Sequence, residues 1–236
     1  MNIFQKFQAS LQSDRQKLSR MSWRQKLQFC FTYYRGFFFA FLVLCLGLFY
    51  IGDVIVQSRT ELALQGFFAN DEKNLFDAKS IQQDFSSSIN LPENQRISFD
   101  DSLYVDLNSS ADYAASSQGK IVAYIAAKEL DFLVVPKPLM EFYTGNLSCY
   151  DLSQIVSECS SSPESDSFLS EQLYFSKDGN GIYKACALNL AHSRYMDDAP
   201  GYDGPDYYMI VPSNTSHMDR IAEFIQYSFR LIAKNM

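Results

Sequence analysis

Ser117 and Lys120 have the residue types and the spacing of a catalytic pair. In the pattern S-x-x-K, one helical turn can bring a serine nucleophile beside a lysine that acts as its base. The companion S-D-N and K-T-G elements are missing from the sequence, as are the H-E-x-x-H, G-x-S-x-G and Walker patterns. The two histidines, His192 and His217, belong to no catalytic pattern. We therefore predict that the chain is not an enzyme.

The segment SKDGNGIY suggests calcium binding, because Asp178, Asn180 and Gly181 match part of an EF-hand loop. Ser176 stands at the first ligand position and Ala187 at the twelfth, where a bidentate glutamate is required. The sequence also lacks the C-x-x-C pairs of zinc sites. We predict no metal site and no cofactor, and we interpret DGNG as the turn of a β-hairpin.

Tyrosines and aspartates alternate in YMDDAPGYDGPDYY, residues 195–208. Aromatic faces beside carboxylates can line a site for a sugar or a cation. A mobile acidic loop is the alternative interpretation, and the sequence leaves both open. The candidate ligand-binding residues are two that end or follow a buried strand and three tyrosines of this segment: Pro136, Lys137, Tyr202, Tyr207 and Tyr208.

Cys149 and Cys159 lie ten residues apart in the C-terminal part of the chain. Such a spacing permits a local disulfide in an oxidising compartment. Cys186 would then remain without a partner. Three buried unpaired thiols are therefore an equally good interpretation.

Strand patterns alternate with helical patterns after residue 59. Strands are predicted over 60–69, 97–107, 131–136 and 209–214, and a hairpin over 172–190. Helices are predicted over 74–89, from a cap at Ser109 or Ser110 to residue 130, and over 217–232. This alternation indicates the α/β class.

Two further segments refine that prediction. The run DFLVVP is apolar throughout and ends in proline, which suits a strand buried on both faces of a parallel sheet. Pro138 is expected to open a short helix after it. The serine-rich segment 157–170 is expected to be a solvated loop.

Charge is divided unevenly along the chain. Residues 1–36 carry seven Lys or Arg against one Asp, and the remaining 200 residues carry 13 Lys or Arg against 26 Asp or Glu. Such an acidic body repels a phosphate backbone, which excludes nucleic acid as an expected partner. The basic residues instead lie where positive charge sets the orientation of a membrane protein. We therefore expect a basic cytoplasmic arm over 1–36.

The segment 37–56 predicts a single transmembrane helix. Residues 37–51 contain no charged side chain, and Asp53 near the far end can reach headgroup water. A helix needs roughly 20 such residues to cross ~30 Å of hydrocarbon. A cleaved signal peptide competes with this interpretation, but the basic region is too long and no A-x-A site follows. We expect a single-pass protein of the cell membrane, with residues 57–236 as one extracytoplasmic domain.

Two stretches carry a resemblance to a known family. KIVAYIAAKELDFLVVPKPLMEFY and YYMIVPSNTSHMDRIAEFIQYSF resemble segments of type 2 extracellular solute-binding proteins of ABC importers. In that family a helix precedes a buried strand that ends at the ligand cleft, and a later strand returns into a long helix. The chain also resembles small single-pass proteins of Gram-positive bacteria that carry this unit. The resemblance implies one lobe of a solute-binding protein, reduced in size.

Two functions follow as expectations. The first is a membrane-anchored extracytoplasmic solute-binding-like module that senses or presents a small molecule. The second is a non-catalytic envelope interaction or scaffold protein that keeps the fold without a ligand. The expected partners are the lipid bilayer and either a small molecule or an envelope protein. A concave site with converging Tyr and Asp side chains favours the first function, and a filled face favours the second.

Overall fold

The computed structural model describes residues 22–23, 35–58, 60–109, 111–159, 163–199 and 201–231. The chain divides into two compact units, Met1–Arg59 and Thr60–Met236. The first unit contains helix α1 (Arg35–Ser58), and most of the predicted basic arm 1–36 lies outside the described residues. Over the residues with described side chains, which in α1 are 36 and 39–52, no helix is long and apolar enough to cross a membrane.

The second unit is built on a six-stranded mixed sheet, which confirms the predicted α/β class. Its strands are β1 (Glu61–Ala69), β2 (Gln95–Leu103), β3 (Phe132–Pro136), β4 (Leu173–Lys177), β5 (Tyr183–Asn189) and β6 (Tyr207–Ile210). They lie in the order β2-β1-β3-β6-β5-β4. Strand β1 runs parallel to β2 and β3, β6 runs antiparallel to β3 and β5, and β4 runs antiparallel to β5.

Helices cover both faces of this sheet. They are α2 (Ala78–Ser88), α3 (Asp112–Ala126), α4 (Lys137–Asn146), α5 (Leu152–Cys159), α6 (Pro163–Glu171), α7 (Arg194–Asp197) and α8 (Met218–Ser228). Buried side chains of α2, α5, α6, α7 and α8 join the core on one face. Those of α3 and α4 join the core on the other face.

Strand β3 shows how the sequence produces this layering. Phe132 and Val134 belong to the first core, whereas Leu133 and Val135 belong to the second, because successive side chains of a strand point to opposite faces. An apolar run without alternation is therefore what a central strand requires. The Phe132 ring stacks on Phe224 with centroids 4.6 Å apart. On its other side the ring lies so close to Gly66 of β1 that an added Cβ would overlap it.

Helix boundaries differ from the predictions for local reasons. Helix α2 starts at Ala78, not at residue 74, because Asn74 adopts a left-handed φ of 53° and Asp77 caps the helix by accepting from the Ser80 N–H. The N-cap of α3 is Ala111, so the prediction of a serine cap was wrong. The Ser109 hydroxyl instead accepts a hydrogen bond from the Ala111 N–H at 3.1 Å.

The prediction of a solvated loop over 157–170 was wrong. Helix α5 extends to Cys159, and α6 begins at Pro163. The serine content obscured two helix signals: proline in the first turn and the acidic residues Glu164 and Asp166 beside it. Leu169 of α6 is fully buried, so this segment contributes to the core.

The structure contains Cys149 and Cys159 as free thiols instead of the disulfide that their spacing permitted. Cys149 lies in the core covered by α3 and α4, and Cys159 lies in the core on the opposite face. The sheet therefore separates the two sulfur atoms. Burial raises the pKa of each thiol to about 12. Cys186 is also a buried free thiol, in the same core as Cys149.

Candidate functional site

Strand order places a topological switch point beside β1. The chain passes from β1 to β2 through α2 on one face, and from β2 to β3 through α3 on the opposite face. In open α/β sheets the crevice for ligands lies outside the carboxyl ends of the strands at such a point. The carboxyl ends of β1, β2, β3 and β5 and the amino end of β6 meet at one edge, which we call the carboxyl edge.

The connection that follows β1 is held rigidly at this edge. Asn70 has a left-handed φ of 60°, and its side chain exchanges two hydrogen bonds with the backbone of Val105, at 2.8 and 2.9 Å. The Asp71 carboxylate accepts from the N–H groups of Leu75 and Phe76, at 2.9 and 2.6 Å. Such local side-chain bonds fix a loop before any ligand arrives, so the crevice is preorganised.

Tyr207 ties that connection to β6. Its hydroxyl donates to the Asn70 carbonyl at 2.7 Å, and its ring packs edge-on against Phe76 with centroids 5.1 Å apart. Burial raises the pKa of Tyr207, and the neighbouring Tyr202 hydroxyl adds to the rise. Tyr207 is 3% exposed. It therefore forms the floor of the edge, and its hydroxyl is already occupied.

Two cavities open at the carboxyl edge, on either side of Ala199. The first, which we call the Arg194 cavity, has a volume of about 370 Å³. The second, the Tyr202 cavity, has a volume of about 340 Å³ and brings Tyr202, Tyr207 and Asp206 together. The Arg194 cavity is lined by the loop after β1, by one side of α2 and by α7 and Tyr227: Lys73, Asn74, Leu75, Ser80, Ile81, Asp84, Arg194, Tyr195, Asp198, Ala199 and Tyr227.

Arg194 is the unusual group of this edge. Its guanidinium lies over the Tyr227 ring, 3.8 Å from the centroid, and its Nε is buried without a hydrogen-bond partner. Within the described ranges no carboxylate lies within 4.0 Å of its nitrogen atoms. A half-buried guanidinium normally pairs with an anion, because leaving its N–H donors unsatisfied is costly.

The five predicted ligand-binding residues are only partly brought together. Pro136 pairs with Tyr207 across β3 and β6, and the Lys137 N–H donates to the Asp206 carbonyl at 3.1 Å. Tyr202 lies beside Tyr207 in the Tyr202 cavity. Tyr208 points to the opposite face of the sheet, where its ring packs against Tyr174. Tyr207 and Tyr208 therefore contribute to different sides of the sheet.

The Ser117 and Lys120 side chains have separate partners. The Ser117 hydroxyl is buried and accepts from the Tyr104 N–H at 3.3 Å. The Lys120 ammonium pairs with the Asp100 carboxylate at 2.5 Å. Burial works against the charged form of Asp100, but the hydrogen bonds from Lys120 and Ser102 outweigh it and lower the pKa of this carboxyl. Each of the two side chains therefore has a structural role in the fold.

The DGNG turn uses its aspartate for the fold. Asp178 Oδ1 accepts from the N–H groups of Asn180 and Ile182, and Oδ2 pairs with Lys184 at 2.7 Å. The hydrogen bond from Lys184 is the main cause that lowers the pKa of Asp178. The predicted hairpin is confirmed, since β4 and β5 pair antiparallel around this turn. In the part of the chain that the structure describes, no group of three or more His, Cys, Asp or Glu could hold a metal ion.

A second polar cluster lies at the opposite edge of the sheet, at the amino end of β3. Asp131 is 1% exposed and precedes β3. Its Oδ2 accepts from the Gln65 N–H at 2.7 Å, and its Oδ1 accepts from the Thr215 hydroxyl. Nδ1 of His217 lies 3.0 and 3.1 Å from the two oxygens. The cluster joins β1, β3 and the start of α8.

Sequence reasoning missed Arg194 and Asn70. Arg194 has a sequence signal, because it is the only Lys or Arg between Lys184 and Arg220 and stands at the start of the acidic tyrosine-rich segment. Asn70 directly follows a predicted strand, where an asparagine often adopts the left-handed conformation of a turn.

No family model, no curated protein and no solved structure matches the chain.

Proposed function

We propose that the chain is a membrane-anchored module whose α/β unit binds a small molecule at the carboxyl edge. The Arg194 cavity is the observation that carries this proposal. It lies at the topological switch point, where ligands bind in sheets of this kind, and it contains a half-buried guanidinium without an anionic partner among the described residues. Its volume of about 370 Å³ falls in the ~300–1,000 Å³ range of small-molecule pockets.

The order of elements supports a relationship to one lobe of type 2 solute-binding proteins. In the first stretch of resemblance, α3 leads into β3, which ends at the carboxyl edge and continues into α4. In the second stretch, β6 returns between β3 and β5 and leads into α8. The Tyr202 cavity adds the converging Tyr and Asp side chains expected of a ligand site. Sensing or presentation of a ligand requires only one such lobe.

The membrane anchor is the second part of the proposal. The sequence of 37–56 is apolar except for Asp53, and helix α1 covers it. The described side chains of α1 are exposed, among them Phe49 at 80% and Leu46 at 61%. A lipid environment would cover these groups. The seven basic residues before Gly36 favour retention of the N-terminus in the cytosol.

Ligand binding is tested with the full chain, purified in a mild detergent. Thermal unfolding is followed by circular dichroism in the presence of sugars, amino acids and short peptides. A ligand that binds only the folded state raises the unfolding temperature by mass action. We expect one of these classes to raise it in a concentration-dependent manner. Failure of all three classes to shift unfolding would contradict the proposed function.

The anchor is tested separately in intact cells that express the full chain with an N-terminal and a C-terminal epitope. Protease added outside should digest the C-terminal epitope and spare the N-terminal one. Cells opened before digestion serve as the control, because both epitopes must then disappear. Protection of the C-terminal epitope, or digestion of the N-terminal one, would refute the proposed orientation.

An exposed aromatic patch favours a second candidate function, that of an envelope interaction protein. Phe175, Ile182 and Tyr183 of the β4–β5 hairpin are 47, 56 and 68% exposed, and the rings of Phe175 and Tyr183 stack with centroids 6.1 Å apart. Strand β4 is an outer strand of the sheet, so its free side can pair with another chain.

A photo-crosslinking amino acid in place of Tyr183 tests this second function in cells. The matched control carries the same group in place of Tyr113, which is 60% exposed on α3. A partner protein captured from position 183 and not from position 113 would support the interaction function. Equal capture at the two positions, or none, would remove its support.

A further inference from the structure

We infer that the Arg194 cavity takes a zwitterionic ligand of the amino-acid class, whose carboxylate binds Arg194 and whose ammonium group faces Asp84. This inference rests on the proposed function and names the ligand class of the same site. It follows from which charges of the cavity the protein itself neutralises and which it leaves.

Two of the charged groups that line the cavity have partners within the protein. Asp198 pairs with Arg230 at 2.6 Å, and Arg230 also reaches Asp197 at 3.3 Å. Lys73 lies 3.5 Å from Asp203, with both side chains strongly exposed. A ligand gains little from these groups, because each is already compensated or fully hydrated.

The other two charged groups of the lining, Arg194 and Asp84, have no ion-pair partner among the described residues. Both act on the same ring: burial raises the pKa of Tyr227, the charge of Arg194 lowers it and the charge of Asp84 raises it. The cation and the anion therefore lie on either side of one tyrosine. A ligand that carries both charges is complementary to this arrangement.

The carboxylate is assigned to Arg194 on the geometry of its donors. A guanidinium offers a planar fork of N–H groups that matches the two oxygens of a carboxylate. The Tyr227 ring holds the plane of that fork at 3.8 Å, and Nε lies in the buried part without an acceptor. A bound carboxylate would supply the missing acceptor at no cost in ordering the arginine.

The rest of the cavity suits the body of an amino acid. Leu75, Ile81 and Ala199 provide apolar surface, and Tyr195 and Tyr227 provide aromatic surface. The carboxylate of Asp84 would repel a phosphate dianion placed on Arg194. A neutral sugar would leave both charges without partners. The volume is near the lower end of the range for ligand pockets, which favours a residue-sized molecule over a long peptide.

The test uses the full chain in detergent and a panel of the twenty amino acids, followed by isothermal titration of the best binder. L-Phenylalanine is compared with 3-phenylpropanoate, which lacks the amino group, and with phenethylamine, which lacks the carboxylate. L-Leucine is compared with 4-methylpentanoate and 3-methylbutylamine in the same way. Loss of the carboxylate should weaken binding by about tenfold or more, and loss of the amino group by a smaller factor.

Matched variants assign the two charges. Arg194→Gln should weaken binding of the amino acid by about tenfold or more, whereas the exposed control Arg96→Gln should leave it unchanged. Asp84→Asn should weaken the amino acid but not its deaminated analogue, and Glu93→Gln is its control. Asp84 and both controls are exposed, so these variants keep the fold even if Arg194→Gln does not.

The outcomes separate this inference from the proposed function. If a sugar binds and the amino acids do not, the proposed function holds and the zwitterionic class is wrong. If an amino acid binds equally well to Arg194→Gln, to Asp84→Asn and to the native chain, it occupies another site and the inference is overturned. If no small molecule binds, both fail.

Discussion

The two edges of the sheet treat buried charge in opposite ways. At the amino end of β3, Asp131 is 1% exposed, and its two oxygens face a backbone N–H, a hydroxyl and an imidazole. At the carboxyl edge, Arg194 stacks on Tyr227, and its buried Nε has no acceptor. The first charge is satisfied by the fold itself. The second is left for something outside it.

This contrast distinguishes a structural charge from a binding charge. Removing a fully satisfied charge leaves its partners buried and unpaired, which destabilises the protein. Removing a charge that lacks a partner releases a desolvation cost and therefore changes stability little. Stability and binding should consequently respond to different residues at the two edges.

The largest effect is expected for Asp131→Asn. The amide cannot accept from Gln65, Thr215 and His217 as a carboxylate does, so the free energy of unfolding should fall by about 3 kcal/mol. Urea unfolding at pH 7 measures this change, and Asp84→Asn, an exposed aspartate on α2, is the matched control. A loss below about 0.5 kcal/mol would show that the cluster at the amino end of β3 is not a structural support.

A second effect is expected at alkaline pH, and it concerns the two cores. The thiols of Cys149 and Cys159 have pKa values raised from 9.0 to about 12 by burial. The folded state therefore keeps protons that the unfolded chain loses above pH 9, and the stability that this provides is lost as pH rises from 9 towards 12.

By pH 10 the two thiols together should lower the free energy of unfolding by about 2 kcal/mol relative to pH 8. Urea unfolding at pH 8, 9 and 10 measures the slope. Raised pKa values of buried tyrosines such as Tyr207 act in the same direction at still higher pH. A free energy of unfolding that stays constant or rises over this range would contradict the burial of these groups.

A smaller effect is expected for Tyr207→Phe at the carboxyl edge. This substitution removes the hydrogen bond to the Asn70 carbonyl and leaves the packing on Phe76 intact. The cost should be about 1 kcal/mol. Tyr113→Phe is a control on the surface of α3. If Tyr207→Phe unfolds like the native protein but binds ligand more weakly, the hydroxyl serves the ligand and not the loop.

The smallest effect on stability is expected for Arg194→Gln. The lost stacking on Tyr227 and the relieved desolvation of the guanidinium oppose each other, so unfolding should change by about 0.5 kcal/mol or less. Arg194→Lys, which keeps the charge without the fork, is the companion variant. A loss of about 2 kcal/mol in Arg194→Gln would place Arg194 with Asp131 as a structural charge and erase the contrast between the edges.

Local patterns predicted the sheet well. Strand β3 follows from an apolar run with proline at its end, and the β4–β5 hairpin follows from DGNG between two strand patterns. Each of these signals lies within a few residues. The helices over 157–170 were missed because serine content outweighed the spacing of Ile155, Cys159 and Leu169, whose burial depends on the rest of the core.

The site could not be predicted, because its contacts are distant in the chain. Arg194 meets Tyr227 of α8 and shares a cavity with Asp84 of α2. Asp131 meets His217 across 86 residues. Only the strand order, which places α2, α7 and α8 around one edge, brings these groups together, and no periodicity in the sequence encodes that order.

The position of β6 has a consequence for how the protein is made. This strand is the last of the described strands along the chain, yet it lies in the middle of the sheet, between β3 and β5. The β2-β1-β3 half and the β5-β4 hairpin remain separate until residues 207–210 arrive to join them. A nascent polypeptide of this kind cannot finish its sheet during synthesis or translocation, and it depends on slow, long-range pairing after nearly the whole chain has emerged.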